Sequence, residues 1–352
     1  MEQLKERLFA GMAERGIVGV RADELYTKMK AFANYGFPEA HSVSFAYLVY
    51  SSAYLKLHEP AAFLAGLLNA QPMGFWSPHT LTRDARRHGV VVRTPDLHRS
   101  LVGATLEPCA DSAGGVAVRL GLEPVRGLGE RDAEAIVAAR TADGPFTGME
   151  DLVRRVPSLD LAHLEAMATA GVFGESLGLA RREALWAAGA VAQSRPGRLA
   201  GIVTGAHAPQ LPGMSPEEEA VSDLWATGVA PDGHPTQFLR TQLAAQGVIT
   251  AAELWEVEPG ARALIAGVIT HRQRPMTAQG TTFLSVEDET GLINVVVSKG
   301  CWRRFSRVAR GAPAMTIRGR VERSEGVINV VAEHLAALEL PASTIHSSRD
   351  FH

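Results

Sequence analysis

Tyr35 and His41 stand six residues apart across a helix break, and their types suit nucleotide chemistry. Gly36 and Pro38 lie between them. Glycine takes the left-handed residue that ends a helix, and proline cannot continue one. The break therefore sets Tyr35 at the end of one helix and His41 in the first turn of the next. The N–H groups of such a turn, with the positive end of the helix dipole, favour phosphate. An aromatic, a histidine and a helix N-terminus at one corner suit a nucleotide. They equally suit an ordinary helix corner with core aromatics, and spacing alone leaves both readings open.

Several helices are needed to position that corner. Leu4, Leu8, Phe9 and Met12 form an amphipathic stretch, and Asp23 can cap a helix carrying Leu25, Met29 and Phe32. Beyond the break, Phe45, Leu48, Val49 and Leu55 are expected to form a buried stripe. Pro60 suits the first turn of a helix with Phe63, Leu64, Leu67 and Leu68. Ser77 and Pro78 open another, on which Arg83, Arg86 and Arg87 fall at i, i+3 and i+4 as one positive ridge. A solvated face and a DNA or nucleotide contact are both open for that ridge.

A second chemistry lies at Arg126, Gly127, Leu128 and Gly129, followed by an alanine-rich helix from Glu130 to Arg140. A glycine–apolar–glycine turn between two helices presents backbone N–H groups to a DNA phosphate, with no side chain in the way. Gly144 to Leu152 reads as the link to a second hairpin, whose turn would be Ala170, Gly171 and Val172. That copy lacks paired glycines and is expected to be structural. Gln193 to about Pro216 is rich in Pro, Gly and Ser, as linkers are. His234 has no partner at metal-ligand spacing and reads as a turn residue.

Residues 263–335 alternate as a small barrel does. Strands are expected at Leu264–Thr270, Thr282–Val286, Leu292–Val297, Ala314–Val321 and Val327–Val331, with a short helix from Cys301 to Val308. Five strands with a helix between the third and fourth is the OB-fold order. From Arg262 to Arg323 there are eleven Arg/Lys against four Asp/Glu, whereas the remainder carries 24 against 34. A basic segment inside an acidic chain of net charge −3 points to a local nucleic-acid surface. Phe283, Trp302 and Phe305 are its candidate stacking aromatics, Phe283 the best of them and the other two better suited to the core.

Other classes are disfavoured. The 352 residues exceed one compact core. No run of about 18 apolar residues occurs. The two cysteines, Cys109 and Cys301, lack metal-site spacing. A cytoplasmic location is expected, with no membrane partner. Phosphoryl transfer needs acidic side chains around two metal ions, and no Asp-x-Asp pair occurs in this sequence.

The stretch from Phe32 to Ala46, through Tyr35, Gly36, Phe37, Pro38 and His41, closely resembles the fingers of bacterial C-family DNA polymerases. Tyr54, Leu55, Lys56, His58, Pro60, Ala62 and Phe63 extend the likeness. These are relatives of the polymerase III alpha subunit. Pro38–His41, Leu67–Phe75 and the terminal Ser-Arg-Asp-Phe-His resemble the error-prone, DnaE-type translesion branch. The resemblance implies a multidomain protein, mainly α with a β-barrel. Its expected parts are a fingers remainder (1–100), a tandem helix-hairpin-helix domain (101–192), a linker or connector (193–261), a C-terminal OB-fold (262–338) and a tail (339–352). It also implies a DNA-binding, nucleotide-facing part of an error-prone DNA polymerase, a nucleotidyltransferase, whose catalytic palm lies elsewhere. The fragment alone is expected to be inactive. Mg2+ would be bound outside it, and its partners would be primer-template DNA, dNTP and accessory translesion proteins. No clamp-binding peptide of the Gln-x-x-aliphatic-aromatic type is found. Tyr35 and His41 would meet the nucleotide. Arg126, Gly127, Gly129, Arg272, Arg274, Phe283, Arg303, Arg318 and Arg320 would meet DNA. Glu39 stands where many replicative relatives carry lysine, implying a looser hold on the triphosphate. The alternative is a stand-alone, non-catalytic hairpin-plus-OB nucleic-acid-binding protein. An open reading frame running upstream into Asp-x-Asp would decide for the polymerase.

Overall fold

The computed structural model describes residues 5–35, 39–74, 76–194, 205, 208–275, 278–324, 326–340 and 349–351, with the backbone alone at 31–35, 39–41 and 349–351. The chain divides into two units, Met1–Glu59 and Pro60–His352. The first holds α1 (Lys5–Glu14), α2 (Val20–Tyr35) and α3 (Glu39–His58). Phe9 meets Tyr26 edge-on with ring centroids 5.5 Å apart, and the Lys5 ammonium lies over both rings, joining α1 to α2. The expected buried stripe of α3 is corrected here. Phe45, Leu48, Val49 and Leu55 are exposed, as are Tyr47 and Tyr50 on its other sides. Three helices offer too little surface to cover a helix that is apolar all round, and such a composition belongs inside a larger body.

The second unit begins with α4 (Pro60–Asn69) and α5 (Pro78–Arg87) beside a three-stranded sheet, β1 (Val92–Arg93), β2 (Thr105–Pro108) and β3 (Val116–Arg119), ordered β1-β3-β2. Pro78 at the first helical position and the Ser77 hydroxyl, which accepts the Thr80 N–H at 3.1 Å, start α5. Leu64, Ala85, Val92, Val118 and Leu120 close this core.

A helical body follows: α6 (Gly129–Asp143), α7 (Met149–Arg155), α8 (Leu161–Thr169), α9 (Gly174–Leu177) and α10 (Arg181–Val191). Ile136, Leu152, Leu164, Met167 and Phe173 form its buried centre. Next come α11 (Pro216–Thr227), α12 (Pro235–Phe238) and α13 (Arg240–Ala245). From Pro216 the stretch expected as a linker or connector is therefore packed structure. Ala226 joins the helical core and Val229 the α4–α5 core. Ser215 and Glu218 make the capping box of α11, and the proline and acids of 216–219 mark that helix start in the sequence.

The barrel comprises β4 (Arg262–Gln273), β5 (Thr282–Glu287), β6 (Leu292–Val297), β7 (Ala314–Ser324) and β8 (Val327–Ala337), with α14 (Lys299–Arg304) and α15 (Ser306–Gly311) between β6 and β7. Strands run in the order β5-β6-β8-β7-β4, and pairing of β4 with β5 closes the ring. Alternate residues such as Leu284, Val286, Ile317, Val321 and Val330 fill it. Arg349–Phe351, β9, pairs parallel with the end of β4. No described helix is long and apolar enough to cross a membrane.

The arginine ridge of α5 has a third role that neither sequence reading included: it grips the β5–β6 turn of the barrel. The Thr80 hydroxyl donates to Glu287 Oε2 at 2.9 Å, and Arg87 Nη1 lies 3.5 Å from Glu287 Oε1. Arg83 Nη2 donates to the Glu289 carbonyl at 2.8 Å, and Arg86 pairs with Asp232 at 2.8 Å. From the connector, Arg240 holds the Glu289 carboxylate through Nε and Nη2, while the Thr236 hydroxyl donates to it at 2.6 Å. Asp288 accepts the N–H groups of Ala251, Thr290 and Gly291. His234 caps α12 and is buried against His79, with ring centroids 6.0 Å apart. Burial pushes the Glu287 carboxyl up and the Arg83 guanidinium down. Burial opposes the charge of Glu289 too, but hydrogen bonds from Arg240 and Thr236 hold its carboxyl below the usual range.

A second buried pair joins α10 to α11, with Arg181 Nη1 2.8 Å from Asp223 Oδ1. Burial outweighs this partner and pushes the Asp223 carboxyl up to about 6. A raised carboxyl favours the fold while protonated. That contribution is full below the ordinary aspartate value near ~4 and is lost as pH rises through about 6. Asp223→Asn should therefore gain on the order of 2 kcal/mol over the parent chain at pH 8, and almost nothing at pH 4. Thermal melts of both chains at the two pH values would show it. An equal difference at both would contradict it.

Candidate nucleic-acid interface

The hairpin turn is built where β3 gives way to α6. Leu122 to Leu128 form successive tight turns, with the Val125 N–H bonded to the Leu122 carbonyl and the Leu128 N–H to that of Val125. A strand, β3, precedes this turn and a helix, α6, follows it. Gly127 and Gly129 have φ of +81° and +69°, and a side-chain carbon built at either would meet nothing within 4 Å. Both glycines are therefore required by backbone conformation, and the space before them is open to a ligand. α6 begins at Gly129, and its first-turn N–H groups have no partner inside the helix. Exposed Arg126 flanks the turn, its guanidinium carbon 4.6 Å from the Trp225 ring centroid.

The second turn is arranged differently. Gly171 has φ +77°, but Arg181 Nε lies 3.1 Å from where a side-chain carbon would sit. Arg181 also donates to the Thr169 carbonyl at 2.9 Å. The chain's own arginine covers the face that would meet a phosphate.

On the barrel, strand pairing collects separate predictions into one row. Phe283 pairs with Val296, Val296 with Val331, and Val331 with Arg320. Phe283 and Arg320 are both exposed at the ends of this row. At ~4.8 Å per strand they lie about 14 Å apart across β5, β6, β8 and β7. The next row, Ser285, Asn294, Asn329 and Glu322, adds two amides. Arg318 is exposed on β7 two residues from Arg320, and Arg274 is exposed just past the end of β4, where Gln273 pairs with Phe283. Arg303 is exposed on α14 in company with Lys299, Arg304, Arg307 and Arg310, and no acidic residue occurs between Glu289 and Glu322. These helices bring a purely cationic surface to the barrel.

Arg272 is corrected out of this surface. Its side chain is buried, and its guanidinium donates to the carbonyls of Ala309 and Ala312 at the end of α15. The cause is a bulge in β4 between Ile269 and His271, which shifts its register against β5 and pairs Arg272 with the core residue Leu284. Trp302 is buried beneath α14, and Phe305 packs beside it against the barrel core. Tyr35 and His41 occupy the end of α2 and the first turn of α3, and their side chains lie outside the described residues, as do Gly36, Phe37 and Pro38.

The helix-hairpin-helix motif family matches residues 89–184, and the OB-fold nucleic acid binding domain family matches residues 263–338. All of this chain aligns with error-prone DNA polymerases of Nocardia farcinica at 54% identity, Mycolicibacterium paratuberculosis at 53% and Corynebacterium efficiens at 50%. Along its whole length the chain is similar to error-prone DNA polymerases. It spans about a third of their length, 31%, 31% and 32% respectively.

Within the helix-hairpin-helix domain, His163 is a residue that sequence reasoning passed over. Its Nε2 lies 3.1 Å from the Gly127 carbonyl, while Nδ1 sits 2.7 Å from Asp160 Oδ1 at the start of α8. Asp132 accepts the Ser158 hydroxyl through Oδ1 at 2.7 Å, and its Oδ2 lies 3.9 Å from His163 Nε2. His163 thus ties α8 to the turn. The signal was a single histidine three residues after an N-cap aspartate, which reads equally as a capping pair. In the OB domain, the Glu287–Glu289 cluster is not arranged as a metal centre. Its carboxylates are taken by Thr80, Arg87, Arg240, Thr236 and backbone N–H groups. No group of three His, Cys, Asp or Glu among the described residues could hold a metal ion.

Proposed function

We propose that this chain is the DNA-holding part of an error-prone DNA polymerase, the hairpin gripping duplex by its phosphate backbone and the OB face taking unpaired template. The observation that carries this reading is the whole-chain likeness to such polymerases, which joins both nucleic-acid modules in one segment. The open glycine turn and the Phe283–Arg320 row support it chemically. Tyr35 would stack at the incoming dNTP, and His41 would donate to its phosphates from the start of α3. The polymerase's Mg2+ would be held by acidic residues outside this segment. The described carboxylate cluster does not fit that role, so no phosphoryl-transfer step is assigned here. The other two thirds of the polymerase would cover the apolar surface of α3. Accessory translesion proteins would be further partners.

Titration of labelled primer-template by fluorescence anisotropy tests the reading, with salt-sensitive binding expected. Failure to bind DNA at low salt would reject it. The OB face makes a separate prediction. Phe283→Ala should weaken single-stranded DNA by about 1–3 kcal/mol, the contribution of one base stacked on an aromatic ring, and leave blunt duplex binding unchanged. Equal losses on both substrates would place Phe283 outside a stacking role.

A further inference from the structure

Trp225 sits near the C-terminal end of α11, in the connector rather than in either family-matched segment. Its neighbour Ala226 is almost fully buried in the helical core, and the Ala226 carbonyl accepts the Arg126 N–H at 2.7 Å. This bond fixes the end of α11 against the residue preceding Gly127. The indole is left 43% exposed, with the Arg126 guanidinium carbon 4.6 Å from its centroid. A guanidinium over an indole face is attracted by the ring's charge distribution. The end of a helix also favours a cation. Arg126 on its own would be a long, freely rotating side chain. Against Trp225 it is restrained beside an open turn that presents backbone N–H groups.

We propose that Trp225 is a positioning residue for DNA binding: it holds Arg126 toward the phosphate next to the one received by the Gly127–Gly129 turn. The inference rests on the reading of that turn as a phosphate site. It makes the connector part of the duplex-gripping surface. Guanidinium planarity matters here, because the same group must lie flat on the indole and keep N–H donors directed at phosphate oxygens.

The test uses the full chain and a fluorescein-labelled blunt duplex, with affinity measured by anisotropy over a range of salt. Arg126→Ala should lower the salt slope by about one. Trp225→Ala should weaken binding about threefold to tenfold, lower the slope in the same way, and add little when combined with Arg126→Ala. Trp225→Phe should restore most of the affinity, because the ring is kept. Trp225→Leu fills the space without a ring and should match Trp225→Ala in slope, which a purely packing role would not. If Trp225→Ala does not fold, the comparison of the Phe and Leu variants decides. Leu binding as well as Phe, or losses that add fully to Arg126→Ala, would overturn the proposal. A parent chain that binds no duplex would instead overturn the hairpin reading beneath it.

Discussion

Glu289→Ala is expected to destabilise the Pro60–His352 unit by on the order of 3 kcal/mol, within the range for removing one partner of a buried ion pair. The substitution strands the Arg240 guanidinium and removes the acceptor of the Thr236 hydroxyl. Arg240 keeps partial access to water, so the loss should stay below the upper end of that range. Glu287→Gln is the informative contrast. Burial already pushes that carboxyl toward its neutral form, and glutamine preserves an acceptor for Thr80. Its cost should be well under half that of Glu289→Ala. Urea unfolding of the full chain would measure both. A larger loss for Glu287→Gln would show that the Arg87 contact, not the Arg240 pair, holds α5 and the connector to the barrel.

Gly129→Val should lower duplex affinity by more than about tenfold, the loss of one charge-assisted phosphate contact together with its approach path. A β-branched residue at φ +69° also costs roughly 1–2 kcal/mol of backbone strain. The added methyls would occupy the open space in front of the first turn of α6. Single-stranded DNA held on the OB face should be much less affected. Anisotropy with the two substrates separates these effects, and an equal fall on both would indicate unfolding rather than a blocked turn. Circular dichroism of the variant supplies that control.

The features legible in the sequence were those fixed by local chemistry. Gly127 and Gly129 announce a turn because nothing else tolerates their backbone, and the alternation in residues 314–321 announces a barrel strand because one face is buried. The ridge of Arg83, Arg86 and Arg87 is legible as a ridge, but the acceptors of Arg83 and Arg87 lie about two hundred residues onward, at Glu289 and Glu287, and that of Arg86 at Asp232. No periodicity reports such a pairing. The acidic triplet was equally visible and equally without a partner until the fold brought the two together. Arg272 failed for a local reason, since one bulge reverses the inside and outside of a strand and leaves no mark in its composition. In the sequence Arg320 and Phe283 are separate signals, a cation and an aromatic. Only the parallel pairing of β6 with β8 sets them in the same row.

The central claim is that this chain holds DNA through phosphate contacts at the glycine turn and through the OB face. The most direct test is the affinity of the full chain for primer-template at about 50 mM and about 200 mM salt, with parent and Gly129→Val side by side. A few phosphate contacts predict that the parent loses about tenfold to a hundredfold between the two salts, and that the variant loses less. Binding that ignores salt, or a variant with the parent's affinity and slope, would contradict the account.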